Sequence, residues 1–314
     1  MKRLYLPLTL LLVLIYFSLA GGRNWLGPLD VFTGLFDPQD FIIHELRLPR
    51  VLIAVGSGAA LGMAGALMQG LTRNPLATPD IIGVTQGAGL GFSIALLSDL
   101  ALLPGAALGA GGAMLAVATL SRGRTPLAFV LFGIGVGATC AAATAVIITS
   151  VPDAEASTAL IWLSGSLSHA NIATAMWLWV VLIAGLVWVA FYQHTLALLW
   201  LGDDVMTALG TNVVNTRTMI LGVVTGLTAA STLAVGPIGF LAFVSAPLAQ
   251  AITRSEPPAL WPAAATGACL LTAADLCARL LAPIVVFPTG LIMSLIGAPY
   301  LIFFLWRERR QARS

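Results

Sequence analysis

The sequence predicts an all-α, polytopic membrane protein with about ten transmembrane helices, and three observations carry that prediction. Apolar residues make up 59% of the chain and charged residues 9%, against about 25% charged in an ordinary soluble domain. Apolar runs long enough to cross a hydrocarbon core of roughly 30 Å recur from end to end. Within them small residues return every fourth position, which lets two helix backbones approach closely in lipid. The net charge of +2 points to no nucleic-acid partner. Cys140, Cys269 and Cys277 lie far apart in apolar stretches without metal-ligand spacing, and read as small packing residues. No linker, low-complexity tract or short internal period interrupts the chain, so residues 1–314 read as one domain.

Met1 to Ala20 holds Lys2 and Arg3, an apolar core and then Ser18-Leu19-Ala20, a pattern that fits both a signal peptide and a retained first helix. Gly21 to Glu45, with Pro28, Asp30, Asp37, Pro38 and Asp40, reads as an external loop. The second span opens on Arg47-Leu48-Pro49-Arg50 and continues from Val51 to Leu71, with Gly58, Gly62, Ala66 and Gly70 leaving one face almost bare. A polar break at Thr72-Arg73-Asn74-Pro75 precedes a second small-residue ladder, Gly83, Gly87 and Gly91. Further apolar spans are expected at about 80–98, 103–120, 126–149, 172–191, 217–235, 238–253, 260–281 and 287–306, which makes ten with the first.

Lysine and arginine give the orientation. With the N-terminus cytoplasmic, that side holds Lys2, Arg3, Arg73, Arg122, Arg124, Arg217, Arg254, Arg307, Arg309, Arg310 and Arg313, and the other holds Arg23, Arg47, Arg50 and Arg279. Eleven against four places both termini in the cytoplasm. The largest loop on that side, about 193–217, contains LGDDVMTALGTNVVNTR. Asp203 and Asp204 suit a helix N-terminus, where they cap free N–H groups and face the positive end of the dipole. Val205 and Leu209 form a short apolar stripe, Gly210 a stop, and Asn212 the start of a second short helix. Such helices suit docking into a groove on another protein. On the outer side Trp162 fits a membrane-interface position, and Leu163-Ser164-Gly165-Ser166 ends a short helix.

The strings RLPR at Arg47–Arg50, GAALGMAGALMQG at Gly58–Gly70 and RNPLATPDIIG at Arg73–Gly83 together resemble the FecCD family of ABC-transporter permeases. WLSGSL at Trp162–Leu167 and the stretch Ala274 to Tyr300, with Asp275 and Arg279, extend the likeness over nearly the whole chain. That family carries ferric siderophores, haem or cobalamin across bacterial inner membranes. The resemblance implies a type II ABC importer permease fold with the first helix retained. It implies that Asn74, Pro75 and Leu76 narrow the cytoplasmic end of the pathway, with 121–126 matching a second gate only in location. Trp162, Gly165 and Ser166 would lie beside the periplasmic mouth, and the 193–217 loop, with Asp203, Asp204, Leu209 and Gly210, would seat on an ATP-hydrolysing subunit. Arg47, Arg50 and Arg279 would receive acidic side chains from the two lobes of a periplasmic substrate-binding protein. The implied assembly has two permease subunits, identical or paralogous, and two cytoplasmic ATPases that hold ATP and Mg, while this chain binds no cofactor. One departure stands out: Pro247-Leu248 occupies a place where the family usually carries Pro-His.

Lys2 is the only lysine, so no Walker A phosphate loop exists and any ATP hydrolysis belongs to another chain. His44-Glu45-Leu46-Arg47-Leu48 lacks the second histidine of a zinc-protease motif, and no G-x-S-x-G occurs. His44, His169 and His194 fall in three separate polar segments, so a metal that crosses would cross inside its chelator. An ion-coupled carrier would place ionisable groups near the bilayer midplane, whereas the acidic residues fall in loops or near helix ends, Asp275 deepest. Asp275 and Arg279 stand at i and i+4, the spacing of an intrahelical pair. Ferric siderophore is the expected substrate, with haem or cobalamin the alternatives.

Overall fold

A computed structural model describes residues 4–22, 25–121, 126–282 and 287–311. Among the described residues the regular structure is helical, with no strand. Each of the ten expected apolar segments contains a helix. These are α1 (Tyr5–Ala20), α3 (Leu48–Thr72), α4 (Val84–Leu97), α5 (Leu102–Leu120), α6 (Pro126–Ile148), α8 (Ile172–Ala197), α10 (Val213–Val235), α11 (Leu241–Thr253), α12 (Leu260–Leu281) and α13 (Thr289–Gln311). Three short helices join them: α2 (Pro28–Phe36), α7 (Asp153–Leu163) and α9 (Asp203–Ala208). By length and apolar content seven helical segments suffice to cross a membrane, while α1, α4 and α11 are shorter.

The second span is the centre of the bundle. Most of α3 is buried, because its small residues let neighbouring backbones close on it. A β-carbon on Gly58 would stand 2.4 Å from the Gly267 carbonyl oxygen, and one on Gly62 2.3 Å from that of Ala263, both in α12. Gly65 meets the Ala242 carbonyl of α11 in the same way, at 2.0 Å. Gly70 faces only side chains, none nearer than 3.5 Å. The second ladder builds a separate crossing, with Gly87 and Gly91 of α4 against Gly109 and Gly105 of α5. Without a hydrophobic drive between helices in lipid, such close van der Waals packing is what holds them.

Three expectations are corrected. The 21–45 segment is not simply a loop, since it contains α2, whose start is set by Pro28 and by the Gly27 N–H donating to Asp30 Oδ2 at 3.0 Å. Val31 of this helix is buried while Leu29, Phe32 and Phe36 are exposed. A π-helical turn, Ile42–Arg47, then leads into α3. The spans expected at 80–98 and 238–253 start late, at Val84 and Leu241. A 3₁₀ turn at Pro79–Ile82 ends on Gly83 with φ +80°, and before α11 Gly236 (φ +76°) and Phe240 (φ +64°) turn the chain. At 13 residues α11 rises only about 20 Å, too little to cross alone. Last, Asn212 starts no second short helix. Its side chain accepts from Asn215 N at 3.0 Å and caps the long α10, because nothing between Val213 and Val235 breaks the helix.

Candidate functional site

At the end of the bundle where α1 finishes and α3 begins, the three sequence-selected arginines come together. Arg47 Nη1 donates to the carbonyls of Leu19 (2.5 Å) and Ala20 (2.8 Å). Arg279 Nη1 donates to Gly21 O at 3.2 Å, and its Nη2 to Ser18 Oγ. The carbonyls of Leu19, Ala20 and Gly21 are among those a helix leaves without an intrahelical partner at its C-terminus, and two guanidinium groups also suit the negative end of its dipole. Arg50 reaches across from α3 to Asp275 of α12, Nε to Oδ1 and Oδ2 at 3.0 and 3.1 Å and Nη2 to Oδ1 at 2.8 Å. Asp275 also has Arg279 Nε at 3.2 Å and the Thr289 hydroxyl donating at 3.3 Å from the start of α13. The Asp275–Arg279 pair thus exists, but Arg50, 225 residues away in sequence, holds the carboxylate more fully. Asp275 is completely buried, Arg47 is 7% exposed, and a pocket of about 410 Å³ opens over Arg47, Arg50, Arg279, Glu45 and Ser168. Cations outnumber anions along that pocket.

Trp162, Gly165 and Ser166, expected beside a periplasmic mouth, lie at the same end. Trp162 is partly buried against the core, its ring stacked on Phe92 of α4 at 4.2 Å and 10°. Gly165 (φ +73°) lies under the turn after α10: a β-carbon there would meet the Pro237 carbonyl at 2.4 Å. Ser166 N donates to Val235 O at 2.8 Å and its hydroxyl to Ser168 Oγ at 3.0 Å. The segment Trp162–Ser166 is therefore stitched to α4, α10 and α13, the last through Gly290 N to Gly165 O at 3.0 Å.

At the opposite end α3 terminates on Arg73 in the left-handed region (φ 50°, ψ 35°). Asn74 Oδ1 accepts from Leu76 N at 2.9 Å and Asn74 O from Ala77 N at 3.1 Å, so Asn74-Pro75-Leu76 form one tight turn. The other expected gate, 121–126, lies for the most part outside the described residues.

The short helix α9, where coupling to an ATPase is expected, starts from Gly202 (φ +107°), with no side-chain cap. Asp203 and Asp204 do stand in its first turn, but Asp203 does not cap it. Its Oδ1 instead accepts from Arg73 Nη2 at 2.5 Å and Arg217 Nη2 at 2.8 Å, since two guanidinium charges outbid a neutral N–H. Gly210 has φ +78°, and Thr211 N to Met206 O with Gly210 N to Thr207 O, both 2.9 Å, complete a Schellman stop. Met206 is buried, while Val205 and Leu209 are 40% and 61% exposed. Sequence reasoning missed Arg73 and Arg217 here, as it missed Arg50 as the partner of Asp275. Among the described residues no group of His, Cys, Asp and Glu could hold a metal ion.

A bundle of apolar helices, seven of them long enough to cross a bilayer, packed backbone to backbone through small residues, is a polytopic membrane protein. The chain belongs to the FecCD transport family, whose model matches residues 10–307. It is 34% identical to the Fe(3+)-citrate import system permease protein YfmE of Bacillus subtilis, over 96% of this chain and 94% of that one. It is also 34% identical to the hemin transport system permease protein HmuU of Yersinia pestis, over 98% and 97%. The vitamin B12 import system permease protein BtuC of Citrobacter koseri is 31% identical over 96% and 93%. A solved structure described as an inward-facing conformation of a transporter assigned to the metal-chelate ABC type superposes with a TM-score of 0.88. It shares 26% identity and covers 98% of this chain and 99% of its own.

Proposed function

We propose that this chain is the transmembrane subunit of a binding-protein-dependent ABC importer of the bacterial inner membrane, and that it moves a ferric siderophore inward by ATP-driven alternating access. One observation supports the reading above the rest: arginines from two distant parts of a family member converge on a single basic pocket at one end. A planar guanidinium meets a carboxylate with two parallel hydrogen bonds, so the pocket suits acidic side chains on the two lobes of a periplasmic protein. The end with most of the lysines and arginines is then cytoplasmic, and the exposed Val205 and Leu209 of α9 face a groove on an ATPase. Two permease subunits enclose the pathway, the turn at Asn74-Pro75-Leu76 narrows its inner end, and ATP with Mg stays on the partner subunits.

Cells lacking this chain should fail to grow on a ferric chelate as the iron source while still using ferrous iron. Growth on every siderophore, with loss of haem or cobalamin uptake, would move the substrate to the second reading. That reading has the hemin and vitamin B12 permeases in its favour, which resemble the chain about as closely as the citrate permease does.

A further inference from the structure

We propose that Arg73 and Arg217 are positioning residues that make the coupling helix α9 and the Asn74-Pro75-Leu76 turn move as one piece, through their common hold on the Asp203 carboxylate. The proposal rests on the reading of α9 as the seat for an ATPase. One oxygen, Asp203 Oδ1, takes Nη2 of both arginines, at 2.5 and 2.8 Å. Arg73 at the same time donates Nε to the Leu199 carbonyl at 2.9 Å, in the 3₁₀ turn Leu198–Leu201. Its guanidinium therefore grips the chain on both sides of Gly202. No residue separates Arg73 from Asn74, and the turn that follows is closed by its own hydrogen bonds, so a pull on Arg73 reaches Leu76 without slack. Arg217 ties the same carboxylate to the first turns of α10, a helix of the core.

α9 is otherwise lightly held. It is six residues long, flanked by Gly202 and Gly210, both at positive φ, and anchored by the buried Met206. Such a segment can shift as a unit, and the shared carboxylate decides what shifts with it. Side-chain exposures of 38% for Arg73 and 47% for Asp203 put their pair in a setting where ion pairs add little to stability. Removing it should spare the fold and sever the communication. A planar fork is needed to meet two acceptors in different directions, so lysine at 73 should not substitute.

Two measurements test the link. In proteoliposomes holding the full importer, Arg73→Ala should leave ATP hydrolysis within about twofold of wild type. Substrate moved per ATP should fall roughly tenfold, a usual size for coupling between sites. Arg73→Lys should resemble Arg73→Ala, and Arg73→Ala with Asp203→Asn should be no worse than Arg73→Ala alone. A merely structural role would lower the amount of assembled complex and leave that ratio unchanged. An unchanged ratio, or additive losses in the double variant, overturns the proposal. The second measurement needs neither transport nor ATPase. A spin label on Leu76→Cys, in the purified chain with Cys277→Ser, should gain mobility in Arg73→Ala and in Asp203→Asn alike. If either variant leaves the label as restrained as before, the link is wrong. A label that responds as expected beside a wild-type complex that imports nothing would instead remove the importer reading and keep the link.

Discussion

Asp275 shows how much of the site a single residue carries. Its buried carboxylate joins α3, α12 and the start of α13 by accepting from Arg50 and Thr289 and pairing with Arg279. Removing one partner of a buried pair leaves uncompensated charge, at a cost of about 3–5 kcal/mol. Asp275→Ala should therefore lower the thermal unfolding temperature in detergent markedly, and Arg50→Ala with Asp275→Ala should be less damaging than the sum of the two. Additive losses would mean the two residues act separately. Gly210 carries a second prediction. A side chain there meets nothing within 4 Å, but its φ of +78° costs a β-branched residue about 1 kcal/mol or more. Gly210→Val should leave the protein in the membrane and lose the ATPase, whereas Gly210→Asn, which tolerates that conformation, should keep it. Co-purification of a fully stimulated ATPase with the valine variant would rule this out. At this scale the sequence revealed local geometry only. The i, i+4 spacing disclosed Asp275–Arg279, and the glycine after Leu209 disclosed the stop of α9. The Arg50–Asp275 and Arg73–Asp203 pairs join residues 225 and 130 apart, and no spacing rule reaches that far. Asp203 was misread for the same reason: a helix-start aspartate looks like a cap until the guanidinium groups that claim it are placed in space.

Among the elements, α3 was the most legible, since its ladder of small residues states both that it crosses and that it is approached closely. The ladder did not say which rung meets which neighbour. Gly62 lies against the Ala263 carbonyl, whereas Gly70 faces side chains at ordinary contact distance. One substitution should thus have opposite signs at the two positions. Gly62→Ala forces α3 and α12 apart and should cost about 1–3 kcal/mol. Gly70→Ala should be neutral, or stabilise by about 0.5–1 kcal/mol through lost backbone freedom in the unfolded chain. Thermal denaturation of the two purified variants decides it, and equal shifts would refute the assignment of the close face. Hydropathy placed a helix in each of the ten expected segments but overran the starts of α4 and α11, because Gly83 and Phe240 stand at positive φ in turns that apolar neighbours do not reveal. It also passed over α2, whose polar flanks and nine-residue length look like a loop.

For the whole molecule, the two ends of the bundle are chemically different, and the difference fixes what each can meet. One end concentrates Arg47, Arg50 and Arg279 in spite of being poorer in cations overall. All three are engaged within the protein, with the α1 carbonyls or with Asp275, so reversing their charge would disturb the helix ends as well as any docking. Orientation can be tested without touching them. With the N-terminus taken as cytoplasmic, the sequence assigns eleven lysines and arginines to that side and four to the other, and such a bias is what retains segments in the cytoplasm during insertion. A fluorescent protein fused after Ser314 should therefore fold and fluoresce, while alkaline phosphatase fused there should stay inactive. Phosphatase inserted between Phe36 and Asp40, beside the basic pocket, should be active. An active C-terminal phosphatase would invert the molecule, put α9 outside and the arginine pocket within, and end the reading of that pocket as a dock for a periplasmic protein.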